Sequence, residues 1–219
     1  MIKLLKSIKD RDPAANSLLE IFFLYPGFHA ILLYRIAHFF WVLKLKLLAK
    51  LISFLARILT GIEIHPAATI GKNMFIDHGL GVVIGETSEI ADNVLIYHGV
   101  TLGGNTLKRG KRHPTVKNNV IIGAGAKILG PVILGEGARV GANAVVTKNI
   151  PKKATFMGVP AKEIKENGVK VRKNFTAYGT PTDIDLDKKM SESKQHLELS
   201  KLEKRIKILE MQIKKNKYK

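Results

Sequence analysis

From Ile62 to Val146 an aliphatic residue returns at every sixth position: Ile64, Ile70, Ile76, then Ile84, Ile90, Ile96, Leu102, then Val116, Ile122, Ile128, Leu134, Val140 and Val146. Small or aliphatic residues, such as Ala68, Val94, Ala126, Ala138 and Ala144, stand two places before these slots. Glycine follows them at 71, 85, 103, 123, 135 and 141, which suggests corners needing backbone torsions closed to other residues. A fixed six-residue period predicts a parallel β-helix whose stacked coils share one apolar axis. A chance run of short strands would not keep thirteen slots in register.

On either side the pattern changes. Leu18 to Leu59 is rich in Leu, Ile and Phe, is broken at Tyr25-Pro26-Gly27, and is interrupted by Arg35, Lys44, Lys46, Lys50 and Arg57. This predicts a helical cap on the open end of the first coil. Ahead of it, Asp12-Pro13 reads as a helix start, with Asp12 as N-cap and Pro13 at the first helical position. Past Ala161 the beat is gone, and Gly168, Gly179 and Pro181 predict an irregular arm. Leu199, Leu202, Ile206, Leu209 and Ile213 then alternate steps of three and four, the stripe of a short amphipathic helix that needs a partner. The predicted organisation is a cap over 1–60, a β-helix over 61–160, and an arm with a terminal helix over 161–219.

Composition narrows the classes of function. Lys and Arg number 36 against 18 Asp and Glu, a formal charge of +18 that favours anionic partners. No basic stripe interleaved with aromatics accompanies it, so no nucleic-acid partner is expected. The absence of cysteine excludes disulfides, thiolate metal ligands and a thiol nucleophile. Met1 to Lys9 lacks the apolar core and cleavage site of a signal peptide, which points to the cytoplasm. The longest uncharged run, Ile21 to Tyr34, has 14 residues, too few to span a bilayer, and no membrane partner is expected.

The beat fails twice, and both failures carry chemistry. The step from Ile76 to Ile84 is eight, enclosing Asp77-His78-Gly79-Leu80-Gly81; that from Leu102 to Val116 is fourteen, ending in Lys111-Arg112-His113-Pro114. An insertion disturbs the packing of a stacked repeat, and long loops in compact domains tend to be functional. His78 and His113 are therefore the candidate site histidines. His29, His38, His65, His98 and His196 are read as cap, corner or surface residues.

At these residues the chain resembles the serine O-acetyltransferases. The resemblance covers Arg11 to about Lys165 and rests on Arg11-Asp12-Pro13-Ala14, Tyr25-Pro26-Gly27-Phe28-His29-Ala30, Tyr34-Arg35-Ile36-Ala37-His38, Ile64-His65-Pro66-Ala67, Asp77-His78, Gly85-Glu86-Thr87, Thr101-Leu102-Gly103-Gly104, Arg112-His113-Pro114, Gly123-Ala124-Gly125-Ala126-Lys127 and Gly158-Val159-Pro160-Ala161. It implies a mainly β fold, a left-handed parallel β-helix with an α-helical cap. It also implies transfer of acetyl from acetyl-CoA to L-serine, the first step of cysteine biosynthesis, without a metal.

The resemblance further implies roles. His78 is the general base, Glu63 (where the family commonly has aspartate) holds its ring, and His113 completes the catalytic set. Asp12 and Asp77 suit the substrate ammonium, Arg112 with His113 the carboxylate, and Glu86 is a second acid near the first insertion. Gly104, Ala124 and Ala142 line the coenzyme A groove, with Lys127, Lys148 and Lys162 toward its phosphates, and backbone N–H groups around Gly103 and Gly104 face the oxyanion. The expected assembly is a homotrimer with sites between subunits, held below a dimer of trimers by the short stretch before Asp12. Feedback inhibition by cysteine is expected as well. The sulfhydrylase that follows in the pathway binds a terminal isoleucine, whereas this chain ends Lys217-Tyr218-Lys219. Two other readings share the β-helix: a sugar or xenobiotic O-acetyltransferase, and a γ-type carbonic anhydrase, which needs a third histidine where Asn118 stands.

Overall fold

The computed structural model describes residues 2–163, together with the backbone of two short strands at 165–166 and 169–170. Four helices come first: α1 (Ile2–Lys9), α2 (Leu18–Leu24), α3 (Pro26–Val42) and α4 (Lys46–Thr60). Helix α2 begins at Ser17, whose hydroxyl accepts Glu20 N–H at 3.1 Å. Asp12 is therefore no helix cap, contrary to the sequence reading. Residues 11–16 form a turn, in which Asp12 Oδ1 accepts Ala14 N–H at 2.8 Å.

The repeat then winds into a parallel β-helix with three sheets. The first holds β1 (Glu63–Ile64), β4 (Val83–Ile84), β7 (Thr101–Gly103), β10 (Lys127–Leu129) and β13 (Val145–Val146). The second holds β2 (Thr69–Ile70), β5 (Glu89–Ile90), β8 (Thr115–Val116) and β11 (Ile133–Leu134). The third holds β3 (Phe75–Asp77), β6 (Leu95–Tyr97), β9 (Ile121–Ile122), β12 (Arg139–Val140) and β14 (Thr155–Met157), closed by antiparallel β15 (Lys162–Glu163). An antiparallel pair, β16 (Lys165–Glu166) and β17 (Val169–Lys170), follows. Slot stacks on slot: Ile64 on Ile84, Ile84 on Leu102, Leu102 on Ile128, Ile128 on Val146. All thirteen slots are buried, as are Ala68, Val94, Ala126, Ala138 and Ala144 two places before them. The terminal stripe from Leu199 to Ile213 lies outside the described residues.

The glycines after the slots serve a different purpose from the one expected. None of them has a positive φ; left-handed backbone is found instead at other glycines, such as Gly81, Gly99, Gly125 and Gly137, and at Asn73, Asn93, Asn119 and Asn143. Asparagine tolerates that conformation better than most residues. Position 135 shows what glycine does instead, since a Cβ there would lie 2.5 Å from the backbone nitrogen of Lys152 in the coil above. Close stacking, not backbone freedom, selects the residue.

Each coil donates its N–H groups to carbonyls of the next, as Thr69 N–H does to Ser88 O and Gly71 N–H to Ile90 O. The first coil has no coil beneath it, and its own carbonyls would be left bare. Helix side chains take the missing place. Tyr34 Oη donates to Ala68 O at 2.5 Å, Arg35 to Ile70 O at 2.7 Å and to Gly71 O, His38 Nδ1 to Pro66 O at 2.8 Å, and Ser53 Oγ to Ile64 O at 2.5 Å. Arg11 Nη2 donates to Asn73 O at 2.6 Å. Tyr34 is only 2% exposed. Removing its hydroxyl leaves a buried carbonyl unpaired, and Tyr34→Phe is expected to cost about 1–3 kcal/mol. Chemical denaturation followed by far-UV circular dichroism measures this directly.

Helix α4 turns Ala49, Ala56 and Thr60 inward and leaves Leu47, Phe54 and Ile58 exposed in the single chain. Such an apolar outer face marks a surface suited to contact.

Candidate active site

The first insertion lies where the third sheet turns into the first, and it places His78 at a left-handed φ of 58°. A residue with a side chain held there is uncommon and gathers at functional sites. A cleft of about 500 Å³ opens beside it, lined by Asp12, Tyr25, Asp77, His78 and Tyr97 among others. Tyr25 donates its hydroxyl to Asp12 Oδ2 at 2.7 Å, so both oxygens of that carboxylate are held, one by the turn and one by the joint between α2 and α3. The joint is seated tightly, because a Cβ on Gly27 would fall 2.0 Å from Ile76 O in β3. Burial first, and then Asp12, raise the Tyr25 hydroxyl well above its ordinary value, and burial with Asp77 and Asp12 raises Tyr97. Both phenols stay protonated, leaving the cleft with two carboxylates, a histidine, neutral hydroxyls and the Arg11 guanidinium, which donates to Ser7 O and Asn73 O. Arg11, Tyr25 and Tyr97 were not singled out as site residues from sequence.

The second insertion leaves the helix where the first sheet turns into the second and folds back on the corner after β4. Arg112 Nη2 donates to Glu86 Oε2 at 2.5 Å. Glu86 thus belongs with Arg112 and His113, not with the first insertion as expected. Its carboxyl is held below the usual range chiefly by that hydrogen bond. His113 is buried, packed so closely that a Cβ on Gly85 would meet its ring at 2.1 Å. His65 stands nearby, half-buried against Trp41 and sensing the charges of Glu86 and Arg112. The Glu63 carboxylate pairs with Arg57 Nη1 at 3.0 Å.

The remaining candidates fall along the stack. Asp77 pairs in register with Tyr97, which sets His98 directly above His78, their rings edge to face at 5.9 Å. Continuing the register puts Ala124 above His98 and Ala142 above Ala124, so two small residues extend the column that begins at His78. Gly104 stands at the other corner, where a Cβ would lie 3.3 Å from Arg112 Cγ and 3.4 Å from His113 Nε2. Lys127 Nζ is engaged by Gly99 O, while Lys148 and Lys162 are exposed. Among the described residues no group of three or more His, Asp or Glu could hold a metal ion. No single described helix is long and apolar enough to cross a membrane.

These environments set a pH dependence. Burial first, then Arg112, lowers the His113 pKa, and burial lowers that of His65. A group depressed in the folded state lends stability that is whole above its unfolded value, here 6.5, and fades as pH falls through the folded one. Glu86 follows the same rule lower down, below 4.5. Thermal midpoints are therefore expected to fall in two stages on acidification, one in each window. Scanning calorimetry over that range checks this, with His113→Gln shrinking the first stage.

Known proteins share this fold. The family model for the bacterial transferase hexapeptide (six repeats) matches residues 113–148. The serine acetyltransferase of Bacillus pumilus (strain SAFR-032) is 46% identical over 196 residues, which cover 87% of this chain and 90% of that protein. A solved serine acetyltransferase in complex with cysteine aligns at a TM-score of 0.73 and 43% identity, over 74% of this chain and 67% of that one. A serine acetyltransferase complex with CoA aligns at 0.69 and 42%, over 74% and 66%. With its repeat, its two histidine-bearing insertions and a relative matched over nearly its whole length, this chain belongs to the serine acetyltransferase family.

Proposed function

We propose that the chain moves the acetyl group of acetyl-CoA to the hydroxyl of L-serine by direct transfer, with His78 as general base. The observation that carries this reading is the cleft, where one histidine shares space with two carboxylates suited to the ammonium of a small amino acid, and where Arg11, also in the lining, is turned to the backbone of Ser7 and Asn73. Asp12, fixed through both oxygens, and Asp77 receive the ammonium. His78 removes the hydroxyl proton as the oxygen attacks the thioester carbonyl, the usual part of an imidazole near neutrality. Collapse of the tetrahedral intermediate expels the CoA thiolate, which takes the proton back from His78. Glu63 is the acid assigned to steady the imidazolium, sharing its carboxylate with Arg57. The pantetheine arm follows the column through Ala124 and Ala142, with Gly104 at the neighbouring corner. Lys148 and Lys162 remain available for its phosphates, and Lys127 is assigned to the corner.

The carboxylate of serine falls to Arg112 and His113, which within one chain sit at a different corner from His78. This separation supports a homotrimer in which each site joins the first corner of one subunit to the second corner of its neighbour. The exposed apolar face of α4 is consistent with contact between copies. A trimer that does not pair with a second trimer, acting in the cytoplasm, completes the reading. Cysteine, close to serine in shape and charge, would compete for the same pocket.

The test mixes purified protein, acetyl-CoA and L-serine and follows thiol release, with sugars replacing serine in parallel. Release with serine and little with sugars is the expected result. Equal release with sugars would return the chain to the broader class of hexapeptide O-acetyltransferases.

A further inference from the structure

Thr87, at the corner after β4, ties the second insertion down. Its Oγ1 accepts the backbone N–H of Arg112 at 3.0 Å and that of His113 at 3.1 Å. Its carbonyl accepts Lys111 Nζ at 2.8 Å. The same Oγ1 lies 2.9 Å from Nδ1 of the His113 ring, and the Thr87 backbone N–H donates to that nitrogen at 3.2 Å.

A hydroxyl has one proton and two lone pairs. With both lone pairs committed to backbone N–H groups, only the proton of Thr87 can face Nδ1. The backbone N–H likewise has only a proton to offer. Nδ1 therefore meets two donors and must present its own lone pair, which leaves the single proton of the neutral ring on Nε2. Burial of the ring, at 8% exposure, and the adjacent Arg112 cation both disfavour a second proton. No described residue accepts a hydrogen bond from Nε2, which stands beside Gly85 and Gly104.

We propose that Thr87 is a positioning residue that locks His113 in the Nε2–H tautomer, making the second histidine a fixed hydrogen-bond donor. The two histidines then have opposite tasks. His78 takes a proton from the substrate, whereas His113 cannot accept one at Nε2 and offers its N–H to a carboxylate oxygen of serine beside Arg112. The tautomer follows from hydrogen bonding alone; its link to serine rests on the function proposed above.

Long-range proton–nitrogen correlation on the full-length protein, labelled at histidine, reads the tautomer, and His113→Gln identifies the resonances. The expected spectrum has a pyridine-like Nδ1 and a pyrrole-like Nε2 above the ordinary histidine pKa; the reverse overturns the proposal. Thr87→Ser keeps the hydroxyl and should retain both the spectrum and the KM for serine. Thr87→Val keeps the shape and the backbone N–H but removes the hydroxyl, and should shift the Nδ1 resonance and raise the KM for serine roughly tenfold, with the KM for acetyl-CoA unchanged. A valine variant with an unshifted Nδ1 resonance and an unchanged KM, or a serine variant that behaves like valine, overturns it. If the valine variant fails to fold, the wild-type spectrum and the serine variant still decide. Failure of the wild type to acetylate serine would sink the functional reading and leave the tautomer result standing.

Discussion

Replacing His78 by Asn is expected to lower the turnover of acetyl transfer by about 10² to 10⁴, the usual contribution of a positioned general base. Serine hydroxyl is a poor nucleophile until its proton leaves, and with no cysteine in the chain no thiol can carry the acetyl group instead. Because the proposed groove for acetyl-CoA runs along the column above His78, through Ala124 and Ala142, its dissociation constant should change little. Equilibrium binding of acetyl-CoA beside steady-state kinetics separates the two effects. A variant that keeps full turnover would remove His78 from the role of base while leaving the family assignment untouched. Edge-to-face contact with His98 makes a specific error conceivable, in which the ring above substitutes for the one below. The double variant at His78 and His98 addresses it: if His98 rescues, the double loss exceeds the single one.

Mixing two crippled proteins is expected to restore activity. His78→Ala loses the base and His113→Ala loses the proposed donor, yet each lesion lies at a different corner of the β-helix. If sites form between subunits, trimers assembled at random from the two variants contain about a quarter of sites with both histidines intact, and activity should recover toward that fraction. Denaturing and refolding the mixture, then assaying at low serine, measures it. A mixture no more active than its parts would place both histidines of a site in one chain and overturn the shared-site reading.

Much of the fold could be read from residue spacing because a repeat writes its core at fixed intervals. Slots such as Ile96 and Ile122 have no alternative to the axis once their neighbours are placed there. The interruptions were equally plain, since eight and fourteen are not six. What escaped was the identity of the corners. Counting slots by threes from Ile64 puts the first insertion after the third sheet and the second after the first sheet, so one chain could never bring His78 and His113 to the same corner. That arithmetic was available and separates Glu86 from the first insertion as well. Other misses were not available. Asp12 followed by proline carries the signature of a helix cap, and only the distant Tyr25 hydroxyl shows where its second oxygen goes. Glycine after a slot is equally consistent with a left-handed turn and with a coil packed against its Cα, and contact distances alone choose the second. Nothing in the spacing marks Thr87, because its partners lie 24 to 26 positions away, across an insertion whose path the repeat does not dictate.

The hydroxyls and guanidinium that α3 and α4 press into the first coil also determine how many molecules can share one stack. A parallel β-helix is self-templating: the bare face of any coil is a ready acceptor for the coil of another molecule, and nothing in the repeat itself says where to stop. At the lower end Tyr34, Arg35, His38 and Ser53 occupy the positions that a foreign coil would need. At the upper end β15 closes the third sheet by running antiparallel along β14, with Lys162 and Glu163 on its rim. The helical cap is thus a chain terminator in the polymer sense, and a protein stripped of residues 1–60 would present the bare carbonyls of its first coil as a sticky end.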